Sequence, residues 1–343
     1  MHPGRQGLGT RLAWQRHRAP SRLAVYVPFQ GLLGRRHVVV DGAPRPGTAF
    51  TLSHWPATPT PPGLVRDLSA ETALEALRQP ELLPEPLDVV TLDHYDADGV
   101  GALSMLVTPG VGEAFGDLLV EVGRVGDFGV VRDQSARLVA FALEGLGRRY
   151  ERRLDAVEEA LMLLPELLED PGRFWKLFAE EETAYQASVA ILDGSAQGSV
   201  ASIEELPEVD LAVVRLDNPC EEAYWGGSAV HSAALNSATT CSRVLVIART
   251  GARWPRGGDS GRLAYRFCYR YESWVRLASV ELPPRVDLEC LAQRLSAMES
   301  GRGHWTFDGV SAPRAALCSD ATAGSTIGEE RLLEELVAEL VAA

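Results

Sequence analysis

The sequence predicts a two-domain α/β protein, and three observations predict it. In the N-terminal third, β-branched runs stop abruptly at polar residues, most clearly where Val89-Val90-Thr91-Leu92 meets Asp93-His94-Tyr95-Asp96. A Leu-, Ala- and Glu-rich span with helical periodicity then runs from Ser135 to about Ala187. Strand-like runs return after it. At 343 residues the chain has room for two domains of ordinary size. The expectation is a largely parallel N-terminal sheet with helices, a helical connector, and a smaller C-terminal α/β domain.

Taken in order, residues 22–28 and 36–41 read as strands, and TLSHWPATPTPPG as a Pro-rich loop barred from a central strand. Ser69 can cap a helix whose apolar positions are Ala70, Ala73, Leu74 and Leu77. Residues 87–92 form a strand, with helices expected over 99–107 and 111–124. The helical span is expected to break at Pro165 and Pro171. Strand signals follow at 187–193, 209–217, 242–248 and 264–280. SAVHSAALNSA reads as a short helix between the second and third of these. VDLECLAQRLSAM reads as a helix leading into Gly301-Arg302-Gly303-His304-Trp305. The expected divisions are a basic flexible tail (1–20), a first α/β domain (21–134), the connector (135–186), a second domain (187–320) and a closing helix (321–343).

The composition excludes several functions. A net charge of −14 argues against an extended nucleic-acid surface, which needs clustered cations to release counterions. A small anionic substrate stays compatible, because a bound metal dominates its local field. Residues 1–40 are the exception, with seven arginines and no Asp or Glu. No apolar run is long enough to span a bilayer. The five cysteines form no CxxC pair, which favours reduced thiols in the cytoplasm over a zinc ribbon.

His94, Asp96 and Asp98 occupy alternate positions, so in an extended segment all three would point the same way. One imidazole and two carboxylates at a strand's carboxyl end suit a divalent cation such as Mn2+. An ordinary Asp-rich turn is the plainer alternative. A calcium loop would need further acidic ligands and a closing Glu after Gly99, and these are missing.

The stretch DHYDADGVGALSML also resembles the first motif of the DHH phosphoesterase superfamily, which includes RecJ-type exonucleases and nano-RNases. Position by position, the resemblance makes His94, Asp96 and Asp98 metal ligands and catalytic residues. It makes Gly99 the residue that lets the chain turn into the next helix. Ser300–Gly309 resembles the GGGGHxxAAG signature of the domain associated with that family, aligning at Gly301, Gly303, His304 and Gly309. Glycines admit close approach of an anion, and Arg302 adds a planar donor. The resemblance thus implies a substrate-phosphate site at Gly301, Arg302, Gly303 and His304. The β-β-α-β-β-α order of the second half is similar to that family's C-terminal domain.

One departure is plain: no His-His pair occurs among the seven histidines, so the family's second metal position must be rebuilt or lost. Asp127 is the candidate for the isolated second-motif Asp, and His54 could enter from the Pro-rich loop. His231 and Arg276 are further candidates with ordinary alternatives, capping and ion pairing. The alternating Tyr265, Phe267, Tyr269 and Tyr271 fit core packing first, and Trp305 is the better base-stacking candidate. The resemblance implies an Mn2+ (or Mg2+) phosphoesterase acting on a short oligonucleotide, nucleotide or other small phosphoester. The alternative is a catalytically degenerate protein that binds a nucleotide or metal as a sensor or assembly module. A homodimer is compatible with either.

Overall fold

Val38, Val39 and Val40 are buried on both faces of a sheet, so β2 (His37–Val40) reads as an unbroken apolar run. The computed structural model describes residues 24–108, 110–196, 201–220, 230–250, 262–300, 303–320 and 324–343. The expected basic tail, residues 1–20, lies outside them. Strands β1 (Val25–Tyr26), β2, β3 (Thr48–Leu52) and β4 (Val89–Thr91) form one sheet in the order β1-β4-β2-β3. Every pairing in it is parallel. Val40 faces Leu52 and Val39 faces Thr91, so β2, β3 and β4 leave the sheet at a common level.

Six helices pack with this sheet: α1 (Ser69–Arg78), α2 (Ala97–Val107), α3 (Val111–Phe128), α4 (Gln134–Gly147), α5 (Val157–Glu169) and α6 (Trp175–Leu192). One apolar core runs from Val38 and Leu52 through Leu103 and Leu119 to Leu143, Leu164 and Tyr185. The helices of the span 134–192 are therefore packed into the first core.

The second sheet is mixed. Its strands are β5 (Ala201–Leu206), β6 (Leu211–Cys220), β7 (Arg243–Thr250), β8 (Leu263–Tyr269), β9 (Trp305–Phe307) and β10 (Ala316–Ser319), ordered β5-β6-β7-β8-β10-β9. Only β6 and β7 pair in parallel, and α7 (Ser232–Ser237) lies between them in the chain. One face buries Tyr265, Phe267 and Tyr269 against α8 (Glu289–Met298) and α9 (Glu329–Ala342). The Tyr265 hydroxyl donates to the Ile327 carbonyl at 2.9 Å, and the Tyr269 hydroxyl accepts from the Val286 N–H at 2.9 Å. That alternation is core packing. The whole is a two-domain α/β fold, as expected.

Several local expectations need correction. Residues 187–193 are not a strand but the end of α6, where the Ser188 hydroxyl donates back to the Ala184 carbonyl and Gly194 stops the helix at φ +75°. The first strand of the second sheet comes later, at β5. Pro165 does not break its helix: burial of Leu164, Leu167 and Leu168 carries α5 through, and the stop comes at Asp170 before Pro171. The strand expected over 264–280 ends at Tyr269. Helix α3 runs on to Phe128 and ends at Gly129, φ +61°, which places Asp127 on a helix. Ser69 is the first residue of α1 rather than its cap.

Candidate metal centre

The common level at which three parallel strands end brings Asp41, His54 and His94 together. Asp41 follows β2 directly and takes a left-handed turn, φ +47°, a conformation that Asp tolerates better than most residues. Its N–H still donates to the Leu52 carbonyl at 3.0 Å, so the ladder runs up to the site. His54, just past β3, is fixed at two points. Its N–H donates to the Ser69 hydroxyl at 3.1 Å, and its Nδ1 donates to the Asp67 carbonyl at 2.8 Å. That bond leaves Nε2 as the bare nitrogen, 3.5 Å from Asp41 Oδ1 and 3.3 Å from Asp127 Oδ2. His94, past β4, lies between acids. Its Nε2 is 2.7 Å from Asp96 and 3.2 Å from Asp41, and its Nδ1 is 2.9 Å from Asp93.

Asp98 reaches the cluster by a different route from the one its spacing suggests. The extended segment ends at Asp96, whose side chain caps α2 by accepting from the Gly99 N–H at 2.7 Å. Asp98 therefore lies in the first helical turn and does not share a strand face with His94 and Asp96. It is fully buried and accepts from the Ser69 N–H at 2.7 Å and the Ala70 N–H at 2.9 Å, at the start of α1. The Ser69 hydroxyl in turn donates to Asp41 Oδ1 at 2.8 Å. Two ligand sets result, each with its atoms within 4.8 Å of one another: Asp41, His94 and Asp96, and Asp41, His54 and Asp98. Asp41 belongs to both.

Glycines make the room. A Cβ on Gly99 would lie 2.9 Å from Asp41 Oδ2, and one on Gly123 of α3 would lie 2.3 Å from Asp98 Oδ1. Gly99 is thus required for the close approach of Asp41, not for a turn into the helix.

The charge in this cluster is unsettled. Among the described residues, none of Asp41, Asp93, Asp96, Asp98 and Asp127 pairs with a lysine or arginine. Burial and then repulsion from Asp41 and Asp96 push the Asp98 carboxyl well above the usual carboxylate range. Burial, followed by repulsion from Asp98, Asp96 and Asp41, does the same to Asp127. Burial alone would favour neutral His94, but hydrogen bonds to Asp41, Asp93 and Asp96 raise its pKa far above the ordinary histidine value. Burial opposes ionisation of Asp96, yet its bond to His94 holds its carboxyl below the usual range.

The donor set fits a divalent metal. Asp41 Oδ2, 3.2 Å from His94 Nε2, and His54 Nε2, 3.3 Å from Asp127, are buried and neither contact has the geometry of a well-formed hydrogen bond. Carboxylate oxygens with imidazole nitrogens, and no thiolate, suit a divalent ion that is not soft. His37 shows the contrast: it is buried too, but its ring nitrogens are taken up by the Arg35 carbonyl at 2.7 Å and the Thr48 hydroxyl at 2.9 Å.

The mouth is aromatic. His94 and Asp96 keep about a third of their side-chain surface, 35% and 32%, and so form the open side. Trp55 packs on His94 with ring centroids 5.3 Å apart, and Trp274 meets Trp55 at 5.1 Å and His54 at 5.4 Å. Trp274 belongs to the segment between β8 and α8, which is the part of the second domain that reaches the cluster.

The remaining sequence candidates lie elsewhere. Gly301 and Arg302 fall outside the described residues. Gly303 sits on Glu299, with a Cβ there falling 3.0 Å from the carboxylate. His304 Nδ1 is 3.3 Å from Asp320, and its side chain is 62% exposed. Among the described residues, no hydrogen bond or ion pair joins Gly303 or His304 to the cluster. Trp305 is not free to stack on a base: it is buried against Tyr265, centroids 5.6 Å apart, and donates to Glu299 at 2.9 Å. His231 caps α7 through Nδ1, which accepts from the Ala233 N–H at 3.1 Å, and its Nε2 donates to Glu181 at 2.8 Å. Arg276 lies beyond the strand that was expected to carry it and donates to the Val275 carbonyl at 2.8 Å.

Asp41 and Ser69 lie outside the motif, and Asp93 opens it without a role assigned from the sequence. Asp41 had a signal, since HVVVD has the same form as VVTLD. Ser69 had none.

The pGpG-specific phosphodiesterase PggH from Vibrio cholrae is similar in structure at 12% identity and a TM-score of 0.30, over 76% of this chain and 82% of that one. No curated protein matches the chain. Residues 22–338 match the family described as "Family of unknown function (DUF6687)", and the chain belongs to that family.

Proposed function

We propose that the protein is a divalent-metal-dependent phosphoesterase acting on a small phosphoester, a short oligonucleotide or nucleotide being the leading class. The carrying observation is the cluster at the strand ends, where buried Asp41 Oδ2 and His54 Nε2 face other ligand atoms at 3.2–3.5 Å without a well-formed hydrogen bond, within two sets of ligand atoms that all converge. In this reading Asp41, His94 and Asp96 hold one ion, and Asp41, His54, Asp98 and Asp127 hold a second. Asp41 and His54 thereby rebuild the position that the absent Asp-His-His leaves open, which makes the chain a divergent DHH-like member. Bound Mn2+ or Mg2+ would supply Lewis acidity to a phosphoryl oxygen and lower the pKa of an attacking water. The chain does the rest. Ser69 and Ala70 hold the Asp98 carboxylate in place, Asp67 fixes the His54 tautomer, and Trp274 covers the His54 imidazole while His94 stays on the open side.

Gly301, Arg302, Gly303 and His304 are proposed as the substrate-phosphate contact. In terms of segments, 21–134 would hold metal, 135–186 connect, 187–320 face the substrate and 321–343 close the second core.

One observation favours a second reading, metal binding without hydrolysis. The described part of the Gly-His loop is lined by the acids Glu299 and Asp320, which disfavour a phosphate.

Calorimetric titration with Mn2+, followed by turnover of a chromogenic nitrophenyl phosphodiester, tests both readings. Saturable binding with turnover, both lost in Asp96→Asn/Asp98→Asn, is the expected result. Binding without turnover on any phosphoester tried supports the second reading. No binding sinks both.

A further inference from the structure

One short turn connects the second domain to the ligands of the first. The Asp67 carboxylate accepts three donors from the β8–α8 segment: the Ala278 N–H at 2.6 Å and the Ser279 N–H at 2.9 Å on Oδ1, and the Ser279 hydroxyl at 2.5 Å on Oδ2. The Asp67 carbonyl accepts a hydrogen bond from Nδ1 of His54. Two residues on, Ser69 donates its hydroxyl to Asp41 and its N–H to Asp98, and accepts from the N–H of His54. Residues 67–70 thus touch the docked segment on one side and three ligands, His54, Asp41 and Asp98, on the other.

A cavity of about 850 Å³ lies along the segment, lined by Tyr271, Val275, Arg276, Leu282 and Arg285 among others. Its own domain holds it chiefly at the base, where the Ser273 N–H donates to the Pro313 carbonyl at 2.9 Å and Arg285 donates to the Ala312 carbonyl at 2.9 Å. Toward the cluster it is held by the Asp67 clamp, by rings (Trp274 on His54, and Tyr271 on Phe128 at 5.3 Å), and by Val275, which is buried in the first core. Three donors on one carboxylate fix direction more strongly than the ring contacts can.

We propose that Asp67 is a positioning residue that couples docking of the β8–α8 segment to the placement of His54, Asp41 and Asp98. Docking of the segment and binding of a divalent cation then reinforce each other. This rests on the metal reading above. Linkage makes the coupling reciprocal: whatever factor the clamp adds to cation affinity, the cation returns to docking.

The test uses the full chain and Mn2+ alone. Asp67→Ala should weaken Mn2+ binding about tenfold, within the usual five- to 150-fold range of such couplings. Ser279→Ala, which removes one donor and leaves residues 67–70 intact, should weaken it about threefold, in line with the loss of one hydrogen bond. In the unaltered chain, saturating Mn2+ should slow amide exchange at Ala278 and Ser279 about tenfold, by the same reciprocity. In Asp67→Ala that slowing should vanish. A merely structural role would lower melting temperature equally with and without Mn2+. Unchanged Mn2+ affinity in both variants, with exchange at 278 and 279 insensitive to metal, overturns the coupling and leaves the metal reading standing. No Mn2+ uptake by the unaltered chain overturns both.

Discussion

Two regions of this molecule gather acids beside a histidine, and they settle the charge in opposite ways. Around His304, Glu299 accepts from Trp305 Nε1, the Ser325 hydroxyl, and the N–H and hydroxyl of Thr326. Burial opposes its ionisation, but these bonds hold its pKa below the usual value. At the ends of β2, β3 and β4 the carboxylates are more numerous and short of donors, and Asp98 and Asp127 are driven toward their protonated forms. A half-buried carboxylate with four donors in place is part of the scaffold. A crowd of buried ones with too few donors and no Lys or Arg partner among the described residues suits a cation.

The largest expected effect lies at Asp41, which both ligand sets share. Asp41→Asn should reduce Mn2+ affinity by at least about 100-fold, the upper end of what supporting residues alone cost. The same change should raise the melting temperature of the chelator-treated chain, because it removes a charge that repels the buried Asp98 and Asp127 carboxylates. A lower melting temperature in chelator would break the comparison.

Next in size is a pH effect. Asp98 and Asp127 have folded pKa values above their unfolded ones, and so does His94. The folded state therefore binds more protons, and this contribution to stability is complete below the unfolded values and lost as pH rises. For the two acids the loss begins near about pH 4, and for His94 near about pH 6.5. Asp96, held low, opposes this only on the acid side. Thermal melts in chelator should fall from pH 5 to pH 9, while Mn2+ should stabilise more at the alkaline end. A gap that narrows with pH would count against a proton-for-metal exchange.

Glu299→Gln sharpens the other half of the comparison. It should cost about 1.5–3 kcal/mol, the scale of hydrogen bonds to a charged group, equally with and without Mn2+. Urea denaturation at two metal levels measures it. The smallest effect belongs to His304→Ala. The pair with Asp320 is exposed, so stability should change by less than about 1 kcal/mol. If the loop grips phosphate, KM for a phosphoester should rise while Mn2+ affinity stays put.

Much of this was legible in the sequence, for reasons that also mark its limits. A β-branched run that stops at an acid signals the carboxyl end of a buried parallel strand, and VVTLDH and HVVVD both carry it. His94 and Asp96 follow from that grammar. Asp98 does not, because capping by Asp96 changes the period from two to 3.6 within the motif. Residues 187–193 are β-branched in part yet helical, since local preference yields to packing on the first core. The Asp67 clamp spans 211 residues of chain to Ala278, and no local pattern encodes such a contact.

The order β4-β2-β3 places Asp41 on the middle strand, with His94 on one flank and His54 on the other. Neighbouring strands lie about 4.8 Å apart, a spacing that backbone hydrogen bonds enforce. The sheet is therefore a ruler for the ligands, graduated in units that no side-chain substitution in the core can alter. A change in preferred ion should come from lengthening a side chain at one of its marks, as in Asp41→Glu, and not from repacking the helices around it.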